Sequence, residues 1–328
     1  MSQIDFVITW VDGSDEKWLK QKAEYSGSVS GDNRAVRFRD WEILKYWFRA
    51  VELYAPWVRK IHFVTWGHVP SWLNTEHPKL NIVKHEDFIP AKYLPTFNSN
   101  AIEWNLHRIK GLSEQFVYFN DDMFLLETMK EKYWFKHGKP CDQAMIGPYV
   151  TEFRNSIASI VSNNIEVINT RFKMKEVLKR HFFKWYHPCY GKYNLYNIAG
   201  LLWPIFTGLM GSHYPNAYLK SSFEVLWEEE YNIIDETCRH RFREKTDVNH
   251  WLVRYWQIVT GNFIPRRQYG SFLFTADNKQ KIKRVITDKK TRILCLNDSD
   301  WVDNFEEQKR IIHEAFDIKL ASKSSFEL

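Results

Sequence analysis

The amino-acid sequence predicts an α/β fold, in which a mostly parallel sheet with flanking helices is followed by a mainly helical second half. Strand-like segments rich in β-branched and aromatic residues recur at 4–11, 60–66, 80–85 and 115–120, and helix-like segments separate them. Strands that alternate with helices are typical of βαβ units and a parallel sheet. Helical periodicity then dominates at 221–231 and 247–260, before one more strand at 292–296.

Two amphipathic segments supply the helices of the first half. Asp40 can cap a helix whose apolar residues recur at 3.6-residue spacing until Pro56. A second helix is predicted at 98–112, with one apolar side and Gly111 near its end. We therefore divide the chain into an N-terminal α/β part at 1–126, a connecting region at 127–210 and a C-terminal part at 211–328, packed as one body.

Composition excludes several classes of protein. Of the 328 residues 16% are aromatic, including 15 Trp, which suits either a large core or stacking on sugars. The net charge of +6 is concentrated at 171–193, which argues against a general nucleic-acid binder with a basic groove. The four cysteines are far apart and indicate neither a disulfide framework nor a zinc site.

No signal peptide or membrane-spanning run is visible, so we expect a cytoplasmic protein that is soluble or peripheral to a membrane. One segment, 174–185, is amphipathic, with basic residues on one side and apolar ones on the other. It fits a helix that lies on an anionic membrane, and slightly better a core-facing helix with a solvated basic side.

Acidic residues follow two of the predicted strands. Asp12 comes after the first strand, and the fourth strand ends at Asn120 and is followed by Asp121 and Asp122. The carboxyl ends of parallel strands share one edge of a sheet, where ligands of such folds bind. Carboxylates there can hold Mg²⁺ or Mn²⁺, although two acidic residues after a strand also occur as a simple turn.

Other polar residues are ambiguous when taken alone. Arg37 and Arg39 precede a helix and could bind a phosphate, or form a surface ion pair with Asp40. His213 could serve as a general base or be structural. Arg243 and the pair Asn297-Asp298 after the last strand have the same ambiguity.

Four regions of the chain, taken in order, resemble the conserved regions of the Stealth family of hexose-1-phosphoryl transferases. The first is IDFVITWVDGSD at 4–15, and the second extends from Arg37 to about Glu127 and includes LPTFNSNAIEWNLHRIKGLSEQFVYFNDDMF. The third includes HYP at 213–215 and FREKTDVNHWLVRYW, and the fourth is ILCLND at 293–298. The resemblance covers most of the chain except roughly 128–205.

The resemblance implies a glycosyltransferase-A-like core that binds a nucleotide sugar, and it assigns roles by position. The roles it implies are catalytic for Asp12, Arg39, His213 and Arg243; metal-binding for Asp121, Asp122 and Asp298; and substrate-binding for Gly13, Arg37, Asn98, Ser99, Asn100, Glu103, Asn120, Asn249 and Asn297. His213 is the expected base, with Asp12 as the alternative.

The implied reaction moves a sugar 1-phosphate from a UDP-hexose or UDP-N-acetylhexosamine to a hydroxyl of a glycan acceptor, free or lipid-linked, and releases UMP. The expected cofactor is Mg²⁺ or Mn²⁺, and the expected setting is capsular or cell-surface polysaccharide synthesis. Two alternatives stay open on residue chemistry alone. One is a metal-dependent glycosyltransferase that releases UDP, and the other is a noncatalytic glycan-binding protein.

Overall fold

A computed structural model describes residues 3–27, 39–149, 157–211, 213–299 and 301–328. Its main sheet has five strands in the order β3-β2-β1-β4-β8. The strands of the described chain are β1 Ile4–Thr9, β2 Ile61–Thr65, β3 Leu80–Lys84, β4 Gln115–Phe119, β5 Met123–Leu125, β6 Phe135–Lys136, β7 Lys139–Asp142, β8 Asn216–Leu219, β9 Ile264–Pro265, β10 Ser271–Phe274 and β11 Ile293–Asn297. The first four strands of the main sheet run parallel and β8 is antiparallel to β4, so the predicted mostly parallel sheet is confirmed.

The helices flank the sheet and dominate the later part of the chain, as predicted. They are α1 Glu16–Ser26, α2 Leu44–Tyr54, α3 His85–Phe88, α4 Ser99–Trp104, α5 Glu131–Trp134, α6 Ala158–Arg171, α7 Met174–Arg180, α8 Phe182–Trp185, α9 Asn194–Gly200, α10 Lys220–Glu229, α11 Tyr231–Arg239, α12 Trp251–Val259, α13 Lys279–Thr287 and α14 Phe305–Lys319. Short 3₁₀ turns lie at Ala91–Tyr93, Leu106–Arg108 and Pro188–Tyr193.

Both faces of the main sheet are buried, each in its own hydrophobic cluster. Along β1, Phe6 and Ile8 pack into the cluster that contains α2, whereas Val7 packs into the cluster that contains α4 and α12. This two-residue alternation of direction is the normal pleat of a strand. A parallel sheet covered on both sides reads as a continuous apolar run, which is why the sequence marked these strands clearly.

A second, three-stranded sheet in the order β10-β11-β5 lies next to the carboxyl end of β4. β11 runs parallel to β10 and antiparallel to β5, with Cys295 opposite Met123. Segments that are about 170 residues apart in the sequence thus share one edge of the molecule. The division into three parts by residue number stays a prediction.

Two local predictions need correction, and several elements were not predicted. The helix predicted at 98–112 ends at Trp104, where the Asn105 side chain donates to the carbonyl of Ala101 (2.8 Å) and so competes with the helix hydrogen bond. Asp40 does not cap α2, since its carboxylate accepts from the backbone N–H of Glu42 (2.6 Å) in the turn before the helix. The elements that were not predicted include the helices α1, α13 and α14 and the strands β8 and β10.

The basic segment at 174–185 packs its apolar side into the core. Met174, Val177, Leu178 and Trp185 are buried, and the segment breaks at His181 into α7 and α8. The interpretation of a core-facing helix with a solvated basic side is therefore correct for these four residues. None of the helices in the described parts of the chain is long and apolar enough to cross a membrane.

Candidate active site

The carboxylates predicted from the strand ends gather at one edge of the main sheet. Asp12 follows β1 in a tight turn, in which its carboxylate accepts from the backbone N–H (2.8 Å) and the hydroxyl (2.6 Å) of Ser14. The backbone N–H of Asp12 donates to Nε2 of His68 (2.7 Å), which holds this turn beside the end of β2. Gly13 lies in the same turn.

Asp121 is a residue of this edge whose protonation is strongly perturbed. Its pKa is raised to about 7, first by desolvation and then by the negative charges of Asp122, Asp40 and Asp298. Burial raises the pKa of Asp40, and the negative charges of Glu42 and Asp12 raise it further. Like charges held together in this way are favourable sites for a cation.

Asp122 has one occupied and one unpartnered carboxylate oxygen. Its Oδ2 accepts from the thiol of Cys295 (3.3 Å) and lies 3.5 Å from Nε2 of His213. Its Oδ1 is buried and has no hydrogen-bond partner. Such an orphaned oxygen is costly unless a ligand or ion satisfies it, so the residues present fit a divalent cation held by Asp121 and Asp122.

A second ligand set is geometrically possible around the same carboxylate. Single ligand atoms of Asp122, His213 and Cys295 all lie within 4.8 Å of one another. However, Mg²⁺ and Mn²⁺ prefer hard oxygen ligands, whereas the sulfur of Cys295 is a soft ligand. The hard oxygen ligands Asp121 and Asp122 are therefore the better pair for Mg²⁺ or Mn²⁺.

His213 stands between an amide and a carboxylate. Its Nε2 lies 3.3 Å from Nδ2 of Asn120 and 3.5 Å from Oδ2 of Asp122. Burial lowers the pKa of His213, but the charge of Asp122 and the contact with it raise that pKa more, so the net shift is upward. The rings of Trp251 and Phe272 flank the imidazole at 6.1 and 6.4 Å between centroids.

Glu103 is a predicted substrate-binding residue with a strongly shifted pKa. The side chain is 4% exposed, and burial raises its pKa to about 7 against the opposing charge of Arg243. Its Oε1 accepts from the hydroxyl of Tyr118 (3.3 Å), whereas Oε2 has no hydrogen-bond partner. Arg243 donates to the hydroxyl of Ser99 at the start of α4.

Arg39, which precedes α2, and Asp298, which follows β11, form a bidentate pair. Nε and Nη2 of Arg39 donate to Oδ2 (2.9 Å) and Oδ1 (2.7 Å) of Asp298, and the hydroxyl of Thr275 also donates to Oδ1 (2.8 Å). Both carboxylate oxygens of Asp298 thus accept hydrogen bonds from protein donors. Asp298 could bind a metal ion, as predicted, only if its ion pair with Arg39 opened. Asn297 lies next to it at the end of β11.

Three predicted substrate-binding amides lie in the interior instead of the cleft. Asn98 and Asn100 are 0% and 1% exposed, and both donate to Oδ2 of Asp247 (2.8 and 2.9 Å). Asn249, which is 3% exposed, accepts from the amide of Asn164 (2.7 Å). These side chains hold the loops that carry their neighbours, and direct contact between them and substrate stays a prediction. Arg37 lies outside the described residues.

Several residues at this edge were not predicted from sequence. His68 follows β2 and holds the Asp12 turn, while Cys295 and Phe272 lie opposite each other on β11 and β10. Cys295 and Asn297 are two residues apart and therefore lie on the same face of β11. This spacing was the signal in the sequence that could have identified Cys295 as a residue of the site. Phe272 lacked such a signal because β10 was not recognised as a strand.

Comparison with protein families matches two regions of the chain. Residues 2–30 match conserved region 1 of Stealth proteins, and residues 37–142 match conserved region 2. A capsular polysaccharide phosphotransferase WcwK of Streptococcus pneumoniae is 45% identical over 331 residues, which cover 100% of this chain and 98% of that protein. The chain belongs to the Stealth family.

Other relatives of this Stealth protein align over the full length as well. An exopolysaccharide phosphotransferase cps2G of Lactiplantibacillus plantarum is 42% identical and covers 99% of this chain and 96% of its own. A receptor polysaccharide phosphotransferase WefC of Streptococcus gordonii is 38% identical and covers 100% of both. The resemblance to the first two Stealth regions is thereby confirmed, and the assignment of the other two stays a prediction.

Proposed function

We propose that this Stealth-family enzyme moves a sugar 1-phosphate from a UDP-hexose or UDP-N-acetylhexosamine to a hydroxyl of a glycan. The products would be UMP and a phosphodiester within a capsular or cell-surface polysaccharide. The observation that supports this most strongly is the convergence of Asp121, Asp122 and His213 at one sheet edge, in a chain similar over its whole length to polysaccharide phosphotransferases. We further propose that the reaction takes place in the cytoplasm, at the inner face of the membrane.

His213 is the residue best placed to remove the proton from the acceptor hydroxyl. The Asp122 charge raises its pKa, so that the imidazole binds the proton more firmly as the hydroxyl attacks phosphorus. Asn120 beside Nε2 helps to fix the ring. Asp12 is the alternative base, but its carboxylate is engaged by Ser14 within its own turn.

The positive groups at this edge suit a transferred phosphoryl group. Arg243 acts electrostatically on both Glu103 and His213, so its charge lies close to the proposed base. Arg39 reaches the same edge and is oriented by Asp298. The guanidinium N–H groups that Asp298 does not use would donate to phosphate oxygens. A Mg²⁺ or Mn²⁺ ion held by Asp121 and Asp122 would offset the charge of the diphosphate.

Aromatic rings beside His213 suit an acceptor sugar. Phe272 and Phe274 lie on one face of β10 and are 39% and 42% exposed, with Cys295 and Asn297 next to them on β11. Apolar ring faces there would pack against a pyranose held next to the base. Phe272→Ala is accordingly expected to raise the KM for the glycan acceptor several-fold and to leave the KM for the donor unchanged.

The nucleotide that is released tests the proposal. Purified protein, a UDP-N-acetylhexosamine donor, Mg²⁺ and a glycan acceptor, free of phosphatase, should give UMP and a product whose phosphorus NMR signal is that of a phosphodiester. Excess chelator should stop the reaction, and added Mg²⁺ or Mn²⁺ should restore it. UDP with a phosphorus-free glycoside would instead identify a glycosyltransferase, and glycan binding without turnover would identify a binding protein.

A further inference from the structure

A continuous segment of the connecting region exposes an unusual amount of apolar surface. From 195 to 205, the exposed fraction of its large side chains ranges from 45% at Trp203 to 81% at Leu202. The segment, called here the apolar patch, contains Leu195, Tyr196, Ile198, Leu201, Leu202, Trp203 and Ile205 as its exposed large residues. It contains no charged residue. A contiguous exposed patch of this kind marks an interaction surface.

The buried contacts of Asn197 and Gly200 hold the start of the apolar patch against the rest of the protein. Asn197 on α9 is fully buried and donates to the carbonyls of Ala144 (3.0 Å) and Trp185 (2.6 Å). Its Oδ1 also accepts from the backbone N–H of Ile146 (2.7 Å). Gly200 packs so closely on Ile146 that a Cβ would meet a side-chain carbon at 2.7 Å. The helix is therefore held with its amide and glycine inward and its apolar residues outward.

The end of the apolar patch is anchored equally well. Phe206 is 1% exposed and stacks on Trp185 with 5.6 Å between ring centroids. Its backbone N–H and carbonyl both bond to the side chain of Asn169, at 3.0 and 2.9 Å. Because both ends are tied to the interior, the outward position of the apolar side chains follows from specific contacts.

Exposed basic residues precede the apolar patch along the chain. Trp185, which contacts both Asn197 and Phe206, belongs to α8 and follows the exposed basic residues of α7. Those basic residues are Lys175, Lys179 and Arg180, and Lys192 precedes the patch. No Asp or Glu occurs in the sequence between Glu176 and Glu224. Phe183, 85% exposed, adds a further apolar side chain to α8.

We propose that the apolar patch and the exposed basic residues that precede it in the chain dock on the surface of an anionic lipid bilayer. Apolar side chains with Trp and Tyr among them, next to Lys and Arg, are what an interfacial helix presents to headgroups and acyl chains. A second copy of the chain fits less well, since a two-fold contact would bring the basic residues of both copies together. The surface differs from the buried apolar side of α7, and the inference does not depend on the proposed transferase activity.

Flotation of the purified full chain with lipid vesicles tests the apolar contribution. At low salt, the wild type is expected to float with vesicles of phosphatidylglycerol and phosphatidylcholine. The triple variant Leu202→Ser, Trp203→Ser, Ile205→Ser should have a partition coefficient at least tenfold lower. A matched control, Leu53→Ser with Ile318→Ser, alters side chains that are 58% and 63% exposed elsewhere and should bind like the wild type.

The charge contribution is tested separately. Lys175→Gln, Lys179→Gln and Arg180→Gln should each weaken binding up to about fivefold, and raised salt or pure phosphatidylcholine should weaken it for the wild type. Circular dichroism should show all variants folded, since every altered side chain is exposed. The proposal is overturned if the wild type does not float, or if the triple Ser variant floats equally well. It is also overturned if light scattering shows that the wild type is a dimer and the triple Ser variant is a monomer, while both proteins float equally well.

Discussion

Two clusters of polar residues, both assembled from distant parts of the chain, differ in how completely their hydrogen bonds are satisfied. The carboxylate of Asp247 is fully buried and accepts from Asn98, Asn100, His240 and the backbone N–H of Glu244. The carboxylate of Asp122 meets Cys295 and His213 on one oxygen and leaves its other, buried oxygen without a partner.

The difference separates residues that hold the fold from residues that await a ligand. A satisfied buried network contributes to stability and gains nothing from a further partner. An unsatisfied buried oxygen among like charges costs stability and is retained where a ligand or ion satisfies it. The resemblance to the Stealth family pointed to both regions, and the hydrogen bonds distinguish them.

Asp247→Ala should have the largest effect, and the effect should be on stability. The change leaves several buried donors without an acceptor, which is expected to lower the free energy of unfolding by about 3–5 kcal/mol. Chemical denaturation measures it, with Glu176→Ala on the surface of α7 as the control that should change little. A loss below about 1 kcal/mol would contradict the structural role given to this network.

Asp122→Asn should act in the opposite way, on activity and hardly on stability. Removal of the charge weakens cation binding and the electrostatic support of His213, so kcat should fall about 10²-fold or more. The melting temperature should stay the same or rise, because the repulsion with Asp121 disappears. Asp303→Asn, on the surface, should match the wild type in both assays. An active but strongly destabilised Asp122→Asn variant would reverse the comparison.

His240→Gln should have the smallest effect, a change in how stability depends on pH. The hydrogen bond with Asp247 raises the pKa of His240 above its ordinary value. A raised pKa in the folded state means that this stabilisation is complete below about pH 6.5 and is lost as pH rises through the folded-state pKa. Denaturation of the wild type between pH 6 and 8 should show this decline, and the variant should lack that component. Identical pH slopes would show that the pair contributes nothing.

Local sequence was sufficient for the elements that lie across the centre of the main sheet. The strands β1 to β4 are short apolar runs closed by turn or polar residues, and burial on both faces makes such runs conspicuous. The positions of Asp12 and of Asp121 and Asp122 at one edge followed from parallel topology. The antiparallel strand β8 escaped notice because its pairing with β4 depends on a partner about a hundred residues earlier in the chain.

Tertiary structure decided which of the predicted polar residues face each other. Arg39 and Asp298 are 259 positions apart and meet because β11 is drawn to the edge of the main sheet by its pairing with β5. Asn98 is directed to Asp247 and away from the cleft by a contact across 149 positions. The local sequence pattern determines whether a segment forms a helix or a strand, through steric preferences and burial. The partner of a side-chain hydrogen bond depends instead on how distant segments pack together, and no local pattern contains that information.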